Sequence, residues 1–413
     1  MKKLNKRIVV PITVIIAALV VLVAGFFIFK NKIGSNTSGK REIEYLSVDE
    51  ALQKQSNALE NKYDNLTLPK SIETIDGNKL YIITSKLSDS VTQENKEDFV
   101  MLMGDFTGKS YEVSQIDDEF KVQMDLYDDE YIGSYTSLGS FDLTKKTTAT
   151  ARITNRTGQE TVINANNADL NASYNIGGEE YNLSEALELS DKFLDEKISK
   201  YLKGDESYML NYIQVCETYG EKEIHYTDQI GNDYIYDAQM DNTVPEGVAL
   251  PEKTNYYCFI YALTVDGVPV SVNTDFSDEN EKGYMRGSYL AVTISKKGEV
   301  GSVSLNRYFD STNKEPVNQK IISLDSALWM ASDYLAGYRK YEVSQSGLSY
   351  CCVTKYGEEE ITYRPMWRIV LEEKAFGDNG PAMWEVCVDA LNGNIYFSET
   401  NSGIIGFKNI NSD

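Results

Sequence analysis

Any chemistry in this sequence has to be built from one histidine, five cysteines and a large excess of carboxylates. His225 is the sole histidine, so a Ser-His-Asp or Cys-His nucleophile would have to be assembled around it. It lies in the octet YGEKEIHY, Tyr219 to Tyr226, and 137 residues later the chain reads YGEEEITY, Tyr356 to Tyr363. The second copy holds Thr362 where the first holds His225, so the octet's structural role does not need an imidazole. A surface or half-buried histidine is the favoured reading. No Gly-x-Ser-x-Gly, His-Glu-x-x-His or Gly-x-x-x-x-Gly-Lys-Ser/Thr pattern occurs, and one histidine cannot complete a histidine-based zinc site. The expectation is therefore no catalytic residue, no cofactor and no bound metal.

The acids are densest in DLYDDE, residues 125–130, and DFSDENEKG, residues 275–283. Counted from Asp275, an EF-hand loop would find Asn280 where it needs glycine and Arg286 where it needs glutamate, so that motif fails. A solvated acidic loop is preferred there to a weak calcium site. Glycosidase chemistry needs two carboxylates about 5 to 9 Å apart, which sequence spacing does not reveal. An envelope enzyme using clustered carboxylates is thus the alternative functional class. Cys216, Cys258, Cys351, Cys352 and Cys387 are too few and odd in number for a disulfide framework. Cys351 and Cys352 are adjacent on an expected strand and point to opposite faces, which suits small apolar residues, while a bridge through Cys216 or Cys387 is left open. Twenty-nine tyrosines with Trp329, Trp367 and Trp384 raise a carbohydrate or peptide platform, but their positions favour core packing.

The elements that must position these residues are legible in patterning. Residues 8–29, from Ile8 to Phe29, form an uncharged apolar run, long enough as a helix to span roughly 33 Å and cross a bilayer core. Lys2, Lys3, Lys6 and Arg7 precede it, which favours a cytoplasmic N-terminus. Residues 1–41 hold eight basic and no acidic residues, leaving 32 basic against 63 acidic beyond them. A chain this acidic is not expected to bind nucleic acid.

Three helix heads recur, SVDEAL at 47–52, NLSEAL at 182–187 and SLDSAL at 323–328, with Ser or Asn at the cap and, in the first two, an acid three residues on to close a capping box. Apolar residues follow at helical spacing in the last, Leu324, Ala327, Leu328, Ala331 and Leu335. After each octet come alternating runs that align Phe259 with Trp367, Tyr261 with Ile369 and Leu263 with Leu371. Each run leads to a hairpin, one turning at Lys297-Gly298 and one at Asn392-Gly393, the latter a strong two-residue turn signal. Tyr219-Gly220 and Tyr356-Gly357 are read as opening turns. Residues 227–254 read as a long surface loop inserted into the first copy. The fold class expected is α+β, with an N-terminal transmembrane helix followed by repeated modules of one helix on an antiparallel sheet of about four strands. The division expected is a cytoplasmic tail 1–7, an anchor 8–29, a linker 30–46, an N-terminal α+β unit 47–178 that is either separate or a diverged repeat, modules 179–310 and 320–400, and a tail 401–413.

YRPMWRIV followed by WEVCVDALNGNIY resembles the PepSY-type extracytoplasmic module, and the Pro-x-Trp-x-Ile strand with its Asp-Ala-x-x-Gly hairpin is similar to the C-terminal end of YycI-type regulatory proteins. The resemblance covers about 323–398, reaches 182–309 through the repeat and hardly touches 47–178. It implies a single-pass membrane protein of Gram-positive bacteria whose outer domains bind a membrane or cell-wall protein without catalysis. In the YycH and YycI proteins that partner is a sensor kinase, and in the related YpeB type a wall hydrolase. A protease-inhibitor or chaperone-like module is a further alternative.

Overall fold

The structure is a computed structural model. It describes residues 41–408 with interruptions, the longest being 147–159, 238–253 and 273–287, with shorter ones that include 219–222, 354–359 and 374–381. The mixed α+β class holds, with sheet predominating over helix. Among the described residues no helix is long and apolar enough to cross a membrane. Ile8 to Phe29, Tyr219, Gly220, Tyr356, Gly357 and the acidic stretch 275–283 lie outside them.

Two units repeat. In each, a capped helix lies on one face of a four-stranded antiparallel meander. The first helix, Leu183–Phe193, lies on strands Glu206–Thr218, Thr254–Val265, Tyr289–Lys296 and Glu299–Asn306; the second, Leu324–Tyr334, on Tyr341–Cys352, Glu360–Glu373, Ala382–Asp389 and Ile395–Glu399. The registers match: Phe259 pairs with Val292 as Trp367 pairs with Val388, and Tyr261 with Leu290 as Ile369 with Val386. These positions face the helices because side chains on a strand alternate between faces. Leu324, Ala327, Leu328, Ala331 and Leu335 are all buried against that face. The helix starts are fixed by their caps. Ser323 accepts from the Ser326 N–H at 3.2 Å. Asn182 accepts from the Ser184 N–H at 2.9 Å, so the expected box with Glu185 gives way to this shorter bond. At Val48–Gln53 the full box forms, with Ser47 and Glu50 bonded reciprocally.

The N-terminal stretch 47–178 divides between the two sheets. Tyr81–Lys86 pairs with the Trp367 strand, and Leu66–Thr67 with Tyr341–Cys352, in parallel. Gln123–Tyr127, Tyr131–Thr136 and Ser140–Lys145 instead extend the first repeat's sheet through Glu299–Asn306. Their cover is a helix the sequence reading did not anticipate, Gln93–Thr107, capped by Thr92. Gly133 lets that helix approach, since a Cβ there would come within 2.3 Å of Met103 Sδ and 3.3 Å of Phe99 Cε2. Gly133→Ala is expected to be tolerated by a swing of Met103. Gly133→Val should lower stability by about 1–3 kcal/mol through overpacking, and a urea titration that found the two equal would refute this.

The octets turn out to be unlike. In the second repeat Glu360 to Tyr363 begins the Trp367 strand itself and pairs with Tyr81–Lys86, with Ile361 buried. In the first, Glu223–Thr227 leaves the sheet and forms a separate hairpin with Asp233–Asp237, where His225 stands opposite Ile235. The inserted segment therefore begins as a hairpin and not as plain loop. It separates the first octet from its strand, so the strands repeat 108 residues apart while the octets repeat 137 apart. The expected C-terminal tail also contributes a strand, Gly403–Lys408, beside Ile395–Glu399.

The repeats meet directly. Val270 bridges Tyr350, the Ser271 N–H donates to the Tyr350 carbonyl at 2.9 Å, and Lys314 holds Asp205 at 2.7 Å. Val265, Val268 and Val270 of the first repeat belong to the same buried cluster as Trp367 and Leu348 of the second.

Candidate functional site

The acidic hairpin near 125–130 is structural. Asp128 accepts from the Tyr111 hydroxyl, and from the Glu130 and Tyr131 N–H groups, all at 2.6 Å, and pairs with Lys109 at 3.0 Å. Glu130 is held between Lys109 and Lys145. Partial burial works to raise the Asp128 pKa, but Tyr111, the two N–H groups and Lys109 outweigh it and hold the carboxyl well below the usual range. A depressed folded-state pKa adds stability above the unfolded value, and that stability is lost as pH falls through the folded one. Asp128→Asn is therefore expected to lower the melting temperature at neutral pH. The gap to the unaltered protein should narrow below about pH 4; a gap that stayed constant across that range would count against the ionic role.

The Asp-Ala-x-x-Gly hairpin is likewise structural. Asp389 is fully buried and accepts from the Leu391 N–H at 2.8 Å, while Arg364 Nε lies 3.0 Å from its other oxygen without hydrogen-bond alignment. Burial raises the Asp389 pKa despite Arg364 and the turn's N–H groups. Gly393 N–H closes back on the Asp389 carbonyl at 2.8 Å, and Gly393, at φ 78°, is the loop's left-handed residue. A two-residue Asn-Gly turn would need positive φ at Asn392 as well. The buried carboxylate instead shapes a four-residue loop, with Asp389 N–H donating to the Asn394 carbonyl at 2.8 Å.

Of the three tryptophans one is in the core, while Trp329 and Trp384 are half-buried and pack against it. Trp367 is fully buried, and Trp384 stacks on Phe397 at 5.3 Å.

A concave feature with convergent polar groups lies between the repeats. A cavity of about 240 Å³ is lined by Ser207, Met209 and Thr264 of the first and by Gln345, Ser346 and Arg368 of the second. Arg368 is 8% exposed and Glu385, its partner, 1%. Arg368 Nε donates to Glu385 Oε1 at 2.7 Å, Nη2 to Oε2 at 3.3 Å and Nη1 to Gln345 Oε1 at 3.3 Å. Burial alone would push the guanidinium pKa down, and the Glu385 carboxylate more than reverses this, so Arg368 stays charged. Cys387 lies 3.4 Å from Glu385 Oε1 and 3.9 Å from Cys351 Sγ. Burial and the Cys351 contact push its thiol well up, which keeps it protonated and unreactive.

Neither Arg368 nor Glu385 was singled out from sequence, although Arg368 gave a signal: on the strand face opposite Trp367 it stands between the apolar Met366 and Val370. The repeat sharpens it. Arg368 pairs with Cys387 as Ile260 pairs with Ala291, and Val370 with Glu385 as Ala262 with Tyr289. The first repeat thus builds the same places from Ile260 and Tyr289, so the fold itself does not require a buried ion pair there. Such a pair costs several kcal/mol per ion in desolvation, offset only in part by mutual attraction.

No family model matches this chain, and no curated protein matches it. Among solved structures it is similar to the crystal structure of an uncharacterized protein from Eubacterium rectale ATCC 33656, at 15% identity and a TM-score of 0.46, covering 86% of this chain and 99% of that one.

Proposed function

We propose that the chain is a membrane-anchored, extracytoplasmic regulatory or scaffolding protein, tethered by residues 8–29, that binds a membrane or cell-wall protein without catalysing a reaction. The observation that carries this reading is that the carboxylate beside the inter-repeat cavity, Glu385, is committed to Arg368. Both Glu385 oxygens accept from the Arg368 guanidinium, at 2.7 and 3.3 Å, a bidentate pairing that occupies the carboxylate. Such a site suits recognition more than acid–base chemistry. The apolar run from Ile8 to Phe29 and the basic residues Lys2, Lys3, Lys6 and Arg7 before it fit an anchor with its domains outside the cytoplasm. A sensor kinase or a wall hydrolase would be a partner of the kind the PepSY-type resemblance implies.

The test is photo-crosslinking of the full-length protein in its native membrane, with the crosslinker placed beyond residue 42. One membrane or wall protein should be captured reproducibly, and deleting residues 8–29 should move the chain out of the membrane fraction and abolish capture. Absence of specific capture would overturn partner binding. A hydrolytic activity of the purified protein that is lost in Asp125→Ala while its melting temperature is unchanged would instead favour the carboxylate enzyme.

A further inference from the structure

We infer that the cavity between the repeats is a binding site for a small uncharged molecule carrying a carbonyl-type hydrogen-bond acceptor, an amide being the simplest case. This goes beyond partner binding and does not depend on it.

Three observations converge. First, Arg368 has five N–H groups, of which Glu385 takes two and Gln345 one, the last at a long 3.3 Å. Two N–H groups on the terminal nitrogens have no partner among the described residues, and Arg368 lines the cavity. Second, Ser346, 2% exposed and also lining the cavity, has a hydroxyl with no hydrogen-bond partner. Buried polar atoms are normally satisfied, and a site that leaves both a charged donor and a hydroxyl unmet calls for an occupant. Third, the first repeat fills the equivalent places with Ile260 and Tyr289. The second repeat therefore carries its buried charges for a purpose the fold does not impose.

Charge and size select the ligand class. The guanidinium is already neutralised by Glu385, so a bound carboxylate would leave a net negative charge beside largely buried groups, and a cation would face unmet donors. A neutral carbonyl meets the open guanidinium edge without either cost. Met209 and Leu348 offer an apolar wall for the rest of the molecule. A volume of about 240 Å³ lies below the usual range of ligand sites, which favours a molecule of few heavy atoms. Because the lining comes from both repeats, the ligand would bridge them.

Saturation-transfer NMR on the full-length chain in nanodiscs tests this, with N-methylacetamide as the probe and acetate at equal concentration as the comparison. N-methylacetamide should receive saturation and acetate should not. The signal should fall about fivefold or more in Ser346→Ala, which removes the unmet hydroxyl and leaves the ion pair in place, and in the double variant Arg368→Met with Glu385→Leu. Transfer to N-methylacetamide that is absent, or unchanged in both variants, would overturn the inference, as would acetate binding that the variants abolish. Partner capture by crosslinking is read separately, so failure of either proposal leaves the other standing.

Discussion

Arg368→Met is expected to destabilise the protein by about 3–5 kcal/mol, because it strands Glu385 as an uncompensated charge in the interior. Glu385 is 1% exposed, and its remaining described side-chain contact is the Cys387 thiol at 3.4 Å, a weak donor. Removing the charge as well, in Arg368→Met with Glu385→Leu, should return most of that loss. Replacing both members of a buried pair with apolar side chains is often neutral or stabilising, whereas breaking the pair is not. The first repeat shows the packing such a double variant would approximate, with Ile260 buried at the Arg368 position. Urea unfolding of the three proteins gives the result directly. If the double variant is as unstable as the single one, the pair has a structural role that apolar packing does not replace and the case for a retained recognition site weakens.

What sequence patterning conveyed was each repeat taken alone. Ser323 and the spacing of Leu324, Ala327, Leu328 and Ala331 specify a capped helix and the face it buries. The alternation through Phe259, Tyr261 and Leu263, and through Trp367, Ile369 and Leu371, specifies strands and the faces they turn to those helices. These are local periodicities set by backbone geometry, so a sequence displays them. Sheet neighbours far apart in the chain are a different matter. Nothing in the YIITSK strand, Tyr81–Lys86, says that it pairs with Glu360 to Tyr363, almost three hundred residues on. Nor does anything local send Ser140–Lys145 to the other repeat. Pairing partners are chosen by three-dimensional complementarity, and the octets show the hazard: near-identical strings lie in different settings because an insertion detaches one of them. The cavity was hidden for the same reason, since its two walls come from different repeats. Only the charge at Arg368, within the otherwise apolar MWRIV, hinted at it.

Trp367→Ala should carry the largest core penalty in the second repeat, about 3–5 kcal/mol from lost burial and the cavity left behind. A further share comes from the Ile322 carbonyl, to which Trp367 Nε1–H donates at 2.7 Å. Trp367→Phe separates the two terms, keeping most of the ring volume while leaving that carbonyl unmet, and should cost about 1–3 kcal/mol. Phe259→Ala in the first repeat tests the burial term without an indole N–H, because Phe259 holds the equivalent register and is also fully buried. The Trp367 bond reaches further than its own strand. Ile321–Ile322 pairs with Tyr45–Leu46, the first strand described, and Ser323 caps the helix Leu324–Tyr334. One indole therefore ties the segment that follows the apolar N-terminal run to the second repeat's sheet. Hydrogen exchange should show this as faster exchange at Leu46 and Ala51 in Trp367→Ala, with little change at Val292 and Val303 in the first repeat. Uniform acceleration across both repeats would instead mean that the two sheets unfold as one cooperative unit, with Trp367 contributing to the whole and not to this junction.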